Sequence, residues 1–181
     1  MILGGLLGDI HCRIKKPKSI NANIEWVHGN NQLEYSYWKS ILLKRLQFNI
    51  RKTKLNTLHF ASKNFKCLNY YHCLFYSNAR KIINKQILNK LDKFGLLIWY
   101  LDDGSYHKRD KTAKLYTNCF TLFEQKLMQK WFKNKWGIKC NIQRAREAEY
   151  VLYFPASETR KLISLLMEFD IPECMKYKFQ N

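Results

Sequence analysis

Two short apolar runs, half a chain apart and each closed by aspartate, constrain this fold more than any other feature of the sequence. Residues 1–8 read MILGGLLG and run into Asp9; residues 94–101 read FGLLIWYL and run into Asp102-Asp103-Gly104. Asp9 and Asp103 stand 94 positions apart in a chain of 181. Length alone does not decide whether such a run is a buried helix or a buried strand. Its recurrence at half-chain spacing is decisive in another way, because an internal duplication changes the whole fold expectation. With 181 residues the chain can bury one good core, or two small ones packed tightly together. Three prolines and seven glycines leave no room for a long flexible linker.

The segments after each run repeat in the same order. Ile10, Cys12 and Ile14 alternate with His11, Arg13 and Lys15, a period of two that predicts a strand, with residues 22–27 as its partner. Leu33, Tyr37, Ile41, Leu42 and Leu46 lie at helical spacing and predict a helix over 31–48. Strands are expected over 54–61 and 69–75, and a helix over 82–91. In the second half, strands are expected near 106–109 and 114–119, and a helix over 121–136 stopped by Gly137. A strand pair then follows over 138–144 and 150–154, and a last helix capped by Ser157, with Glu158 and Glu168 near its two ends and Leu162, Leu165 and Leu166 inside. The expected fold class is therefore α+β. It comprises two αββαββα units, 1–93 and 94–181, related by a pseudo-two-fold axis, with curved antiparallel sheets and a central two-helix interface.

Charge narrows the partner. Thirty-two Lys and Arg against 14 acidic residues give a net charge of +18. Such an excess attracts a polyanion, whose condensed counterions are released when the protein covers its phosphates. No apolar run approaches the ~20 residues that span a bilayer, and no basic amphipathic helix or lipidation signal stands out, so no membrane partner is expected. The cysteines, Cys12, Cys67, Cys73, Cys119, Cys140 and Cys174, form no CxxC pair and no dense disulfide spacing. They read as reduced thiols in an intracellular compartment rather than a zinc site.

If the two apolar runs are helices packed on each other, Asp9 and Asp103 meet at the centre of a basic surface. Two carboxylates at one point repel unless cations lie between them. Hard oxygen ligands of this kind suit Mg²⁺, and metal ions bridging carboxylates and a phosphodiester are a standard route to hydrolysis. A lone acid after an apolar run would more often mark a helix end; the DDG repeat, the basic flanks and the spacing favour the metal reading here.

LGGLLGDIH (3–11) and LLIWYLDDG (96–104) resemble the two signature helices of single-chain LAGLIDADG homing endonucleases, and the order of elements resembles that family along nearly the whole chain. The resemblance implies that Asp9 and Asp103 bind the active-site metal, Mg²⁺ or Mn²⁺, with the backbone carbonyls of Gly8 and Asp102 as further ligands. Asp103 takes this role rather than Asp102 because it directly precedes the glycine. IPECMKYKF resembles the family's closing motif and RKIINKQIL its first-half equivalent, which implies Lys178 and Lys81 as the basic residues of the two active centres. Their offsets from the preceding acid, 75 and 72 positions, are nearly equal. The second signature run departs from the family's preference for small residues at Ile98 and Trp99, and Gly4 and Gly8 are expected to make room for those side chains. The first run opens at Met1, where relatives carry a leading segment, so some DNA contacts are expected to be missing.

The resemblance further implies an intron-encoded enzyme that cuts double-stranded DNA at a long asymmetric target as a monomer. Alternate side chains of its sheets would enter the major groove. In the first half Arg13, Lys15, Lys16, Lys18, Lys52 and Lys54 are expected on the nucleic acid; in the second, Lys108, Arg109, Lys111, Lys114, Arg144 and Arg146. Most would touch phosphates and a minority would read bases. His11 and His107, two and four residues past the acids, lie near enough in sequence to touch the centre. A composition rich in Asn, Lys, Ile, Tyr and Phe fits an AT-rich organellar genome, mitochondrial or chloroplast. The rival within the family is an RNA-binding maturase, or a silent copy serving an intron or ribosomal RNA complex. The rival from another class is a DNA-binding regulator that needs the basic sheets but neither acid.

Overall fold

The computed structural model describes residues 1–15, 17, 19–55 and 57–179; Lys16 and Lys18 lie outside them. In chain order the first half contains α1 (Ile2–Leu7), β1 (His11–Ile14), β2 (Ala22–His28), α2 (Leu33–Leu42), β3 (Phe48–Lys52), β4 (Leu58–Ser62) and α3 (Lys66–Phe75). A tight hairpin of β5 (Tyr76–Ser77) and β6 (Arg80–Lys81) and a short helix α4 (Lys85–Lys90) lead to the second half. That half contains α5 (Lys93–Asp103), β7 (Gly104–His107), β8 (Thr112–Leu115), α6 (Leu122–Trp136), β9 (Asn141–Arg146), β10 (Glu149–Phe154) and α7 (Ala156–Leu166). Each half is thus αββαββα.

Both four-stranded sheets are antiparallel and share one topology, β1-β2-β4-β3 and β7-β8-β10-β9. Each is covered on one face. α3 packs on β1 and β2 and α2 on β4, while α6 packs on β9 and β10 and α7 on β8 and β10. Strand alternation explains which side chains are inside. Cys12, Ile24, Trp26 and Phe60 fill the first core, and Ala113, Leu115, Leu152 and Phe154 the second. α1 and α5 lie against each other between the halves, and all of Leu96–Leu101 is buried. Among the described residues no helix is long and apolar enough to cross a membrane.

Local signals explain most boundaries. Thr121 and Glu124 form a reciprocal capping box at the start of α6, and Gly137 closes it in the left-handed conformation at φ 65°. Asp92 caps α5 by accepting the Gly95 N–H at 2.6 Å. The expectations fail in three places. Residues 69–75 are the end of α3 and not a strand: Leu68, Leu74 and Phe75 recur on a helical face toward the core, and this outweighs the strand preference of Tyr70 and Tyr71. The expected helix over 31–48 ends at Leu42, and Gln47 at φ 50° turns the chain into β3. The strand pair therefore falls one element earlier, at 48–52 and 58–62. Ser157 lies inside α7, whose N-cap is Pro155 with no side-chain cap.

Candidate active centre

The helix crossing brings the two acids together because of glycine. A Cβ on Gly4 would land on the Gly95 carbonyl, and one on Gly8 would land on the Asp102 side chain. Only glycine lets the two backbones approach this closely. The expected pairing of these glycines with Ile98 and Trp99 is corrected here. Gly4 faces Gly95 and Gly8 faces Asp102, while Trp99 points away into the second core against Phe132.

Asp9 lies two residues beyond α1, and Asp103 is the last residue of α5. Burial, then the neighbouring Asp102 carboxylate, raises the Asp9 carboxyl above its ordinary range, against the pull of Lys39, Lys178 and Lys81. The Asp103 carboxyl is pushed up to about 8, first by burial and then by Asp102 and Asp9. Carboxylates crowded and desolvated in this way are the setting in which a divalent cation is bound.

The two lysines mirror each other across the crossing. Lys81 Nζ donates to Gly8 O at 2.8 Å and Ile10 O at 3.4 Å. Lys178 Nζ donates to Asp102 O at 2.8 Å and Leu101 O at 2.5 Å. Gly8 and Asp102 each directly precede an acid, so each lysine holds the peptide that presents one aspartate. Different local devices place them. Lys81 is on the β5–β6 hairpin, turned by Asn78 and Ala79 at φ 49° and 59°. Lys178 ends a 3₁₀ turn, Glu173–Lys178. Burial lowers the pKa of both lysines below its usual value, with the three aspartates opposing. Gly8, His11, Lys81, Asp103, Asn118 and Cys119 line one cleft of about 450 Å³. That cleft is therefore composite, lined by an acid from one half and a lysine from the other. His107 lies apart, on the sheet, paired with Asp110 at 3.2 Å.

Beneath Asp9 is a cluster that sequence reasoning missed. The Asp102 side chain is fully buried, with Oδ1 accepting from Tyr35 Oη at 2.7 Å and Lys39 Nζ at 3.0 Å, and Oδ2 accepting the Asp9 N–H at 3.1 Å. Lys39, also fully buried, reaches His28 Nε2 at 2.9 Å and lies over the rings of Tyr35 and Trp26 at 4.4 and 5.2 Å. Removing one partner from such a pair costs about 3–5 kcal/mol, because it strands the other charge. Asp9, His28 and Asp102 place potential ligand atoms within 4.8 Å of one another. Yet the Lys39 ammonium already binds two corners of that triangle, His28 and Asp102, and Asp102 has its hydrogen bonds. Burial, then Lys39, lowers the His28 pKa to about 4. Its neutral Nε2 accepts from Lys39, so the 3.9 Å approach to Asp9 Oδ2 is not an ion pair. The donors that fit a divalent ion are instead Asp9, Asp103 and the free lone pairs of the Gly8 and Asp102 carbonyls.

The open faces of the sheets carry the remaining candidates. By strand parity Arg13, Asn23, Glu25, Asn49, Arg51 and His59 share the open face of the first sheet, and Ser105, Lys114, Gln143 and Tyr153 that of the second. Arg13 and Lys15 both bind Glu25, at 3.1 and 2.9 Å. Burial works to raise the Glu25 carboxyl, but Lys15, Arg13 and His59 outweigh it and hold it below its usual value. Lys108, Arg109 and Lys111 are exposed on the β7–β8 turn, and Lys54 on the β3–β4 turn. Arg146 is exposed near the far end of β9. Lys52 and Arg144 have the parity of the helix-covered face, at exposed sheet edges. Arg51, absent from the expected set, is the open-face residue beside Lys52; strict alternation from Phe48 is the signal that finds it.

Comparison with known proteins agrees with this geometry. The probable intron-encoded DNA endonuclease 3 of Mycosarcoma maydis is 32% identical over 110 residues, covering 58% of this chain and 79% of that protein. The cytochrome b mRNA maturase bI2 of Debaryomyces hansenii is 27% identical over 194 residues, covering all of this chain and 72% of the relative. Among solved structures, the homing endonuclease I-WcaI bound to its DNA recognition sequence superposes with a TM-score of 0.85 at 21% identity, over 99% of this chain and 84% of that one. I-DmoI in complex with DNA and Mn superposes at 0.61 and 14% identity, over 94% and 96%. The family model of LAGLIDADG DNA endonucleases matches residues 1–162, and with two acid-tipped helices crossing between two like sheets, this chain belongs to the LAGLIDADG DNA endonuclease family.

Proposed function

We propose that this protein is a site-specific homing endonuclease that hydrolyses both strands of a long, asymmetric double-stranded DNA target. Residues 1–93 would read one half-site and 94–181 the other, in a monomer. The observation that carries this reading is the pair of crowded carboxylates, Asp9 and Asp103, each presented by a peptide that a lysine holds. In this reading Asp9, Asp103 and the Gly8 and Asp102 carbonyls hold divalent ions, Mg²⁺ or Mn²⁺. When bound, the ions activate a water for attack on the phosphodiester and stabilise the leaving oxygen. Lys81 and Lys178 keep the two acid-bearing peptides in place and set positive charge beside the phosphate. Arg13, Arg51 and Lys114 lie on the open faces that meet the groove; Lys54, Lys108, Arg109 and Lys111 grip phosphates from the turns. Relatives encoded in introns, and one acting on cytochrome b mRNA, support an organellar origin.

The test is cleavage of a randomised duplex library with and without Mg²⁺. Cutting at a small set of related long sites, only with metal, is expected. Tight binding to intron RNA without any DNA cutting would favour the maturase function of the bI2 relative instead.

A pH dependence follows from Asp103. Its raised carboxyl favours the protonated folded state. That stability is complete below the ordinary value of 3.8 and is lost as pH rises through about 8. A divalent ion must displace the same proton, so its affinity is expected to fall by about tenfold per pH unit below that point. Thermal melting should therefore show a larger Mg²⁺-induced rise in Tm at pH ~8.5 than at pH ~6. An equal rise at both would remove Asp103 from the ligand set.

A further inference from the structure

The two acids sit in unlike surroundings, and one packing constraint is the cause. Gly8 and Asp102 hold equivalent places, each directly before an acid and each with its carbonyl on a lysine. A Cβ at Gly8 would stand 2.6 Å from Asp102 Oδ2 and closer still to its Cβ. Only one side chain fits where α1 and α5 cross at this level. The chain puts glycine on one side and carboxylate on the other, and the Asp102 carboxylate turns into the first half. There it meets Tyr35 and Lys39 of α2.

Among the described residues the second half has no such cluster. Continuing the two strand registers places His28 opposite Gly8 and Thr117 opposite Asp102. Thr117 Oγ1 donates to Gln125 Oε1 at 2.8 Å, and Gln125 Nε2 donates to the carbonyls of Thr117 and Tyr150 at 2.6 and 3.1 Å. This network is neutral, whereas the one beneath Asp9 holds a buried ammonium and carboxylate. The backbone of each acid is held differently as well. Asp103 is the last residue of α5 and takes its place from the helix. Asp9 lies beyond the end of α1, and its N–H rests on Asp102 Oδ2.

We propose that the Asp102 side chain, held by Lys39, positions the Asp9 peptide and not that of Asp103, so that the two active centres cut their strands at intrinsically unequal rates. Lys39 touches no reacting group. It fixes Asp102, and Asp102 fixes the peptide that presents Asp9. An acid displaced by a fraction of an ångström loses rate steeply, and the loss falls more heavily on the strand cut on the Asp9 side, whereas outright removal of either acid empties the shared ion site and stops both.

This rests on the nuclease reading, and the assay separates the two. The substrate is a duplex carrying the site recovered from the randomised library, with a different end label on each strand. Cleavage by the native protein tests the nuclease reading by itself. The test variant is Lys39→Met/Asp102→Asn, which removes both charges together and keeps the backbone carbonyl of residue 102. Its affinity for the duplex in Ca²⁺ is expected to stay within about twofold of native, while the ratio of the two strand-cutting rates shifts by about tenfold or more. Tyr35→Phe, which removes one hydrogen bond from Asp102, should move the ratio the same way by less. Equal strand rates in the native protein would overturn the proposal. So would an unchanged ratio in the double variant or, if that variant does not fold, in Tyr35→Phe.

Discussion

Replacing Asp103 with Asn is expected to abolish strand cleavage while leaving both the fold and DNA binding in place, and Asp9→Asn is expected to do the same. Each change keeps the size and shape of the side chain and removes one charged ligand. Metal-borne stabilisation of the attacking and leaving oxygens amounts to several kcal/mol. At about 1.4 kcal/mol per tenfold in rate, the loss should be about 10³-fold or more. The fold should not suffer, because burial and the neighbouring carboxylates already oppose ionisation of both acids. The neutral amide relieves that repulsion, so the metal-free variants should melt no lower than the native protein. Cleavage of labelled duplex, together with gel-shift affinity and a melting curve, checks all three statements. A variant that still cut at more than a tenth of the native rate would remove its acid from the metal site. A DNA-binding regulator, the rival from another class, would show no change in function at all.

The largest expected effect on stability lies at Gly4. A Cβ there would land on the Gly95 carbonyl, a backbone atom that cannot swing aside. Gly4→Ala therefore forces α1 and α5 apart along the helix pair that joins the acids. Overpacking of this kind costs about 1–3 kcal/mol for small additions and more where backbone must move. Against a total stability of about 5–15 kcal/mol, Gly4→Ala should survive with a lowered urea midpoint and Gly4→Leu should not fold. Gly29→Ala is the matched control. Nothing lies within 4 Å of its Cβ position, so its effect should stay within about 0.5 kcal/mol. A Gly4→Leu protein that folded and cut normally would show that the helices do not cross as described.

Which features were legible in the sequence follows from the range over which each is decided. The paired acids were legible because a short apolar run ending in aspartate is local, and its repeat at half-chain spacing needs no knowledge of the fold. Lys81 and Lys178 were legible as positions, from their offsets and the flanking motifs. The helices and most strands were legible through periodicity, and so was the αββαββα order, although 69–75 lost its strand reading to a core-facing helical stripe.

The face of α2 was not legible. Tyr37 and Ile41 carry the apolar spacing, yet they are 44% and 66% exposed, while Tyr35, Ser36 and Lys39 point inward. No single-helix pattern places a lysine inside, because its burial depends on a carboxylate 63 positions away in the chain. Asp102 was read for its carbonyl alone, and its side chain acquired a role only when Gly8 left it the space at the crossing. Composition and short-range spacing were enough to reveal the duplicated plan, the basic character and the positions of the two acids. Tertiary structure alone decided that the two halves differ around those acids, since two helices meeting on a near-symmetry axis have room there for one side chain and not two.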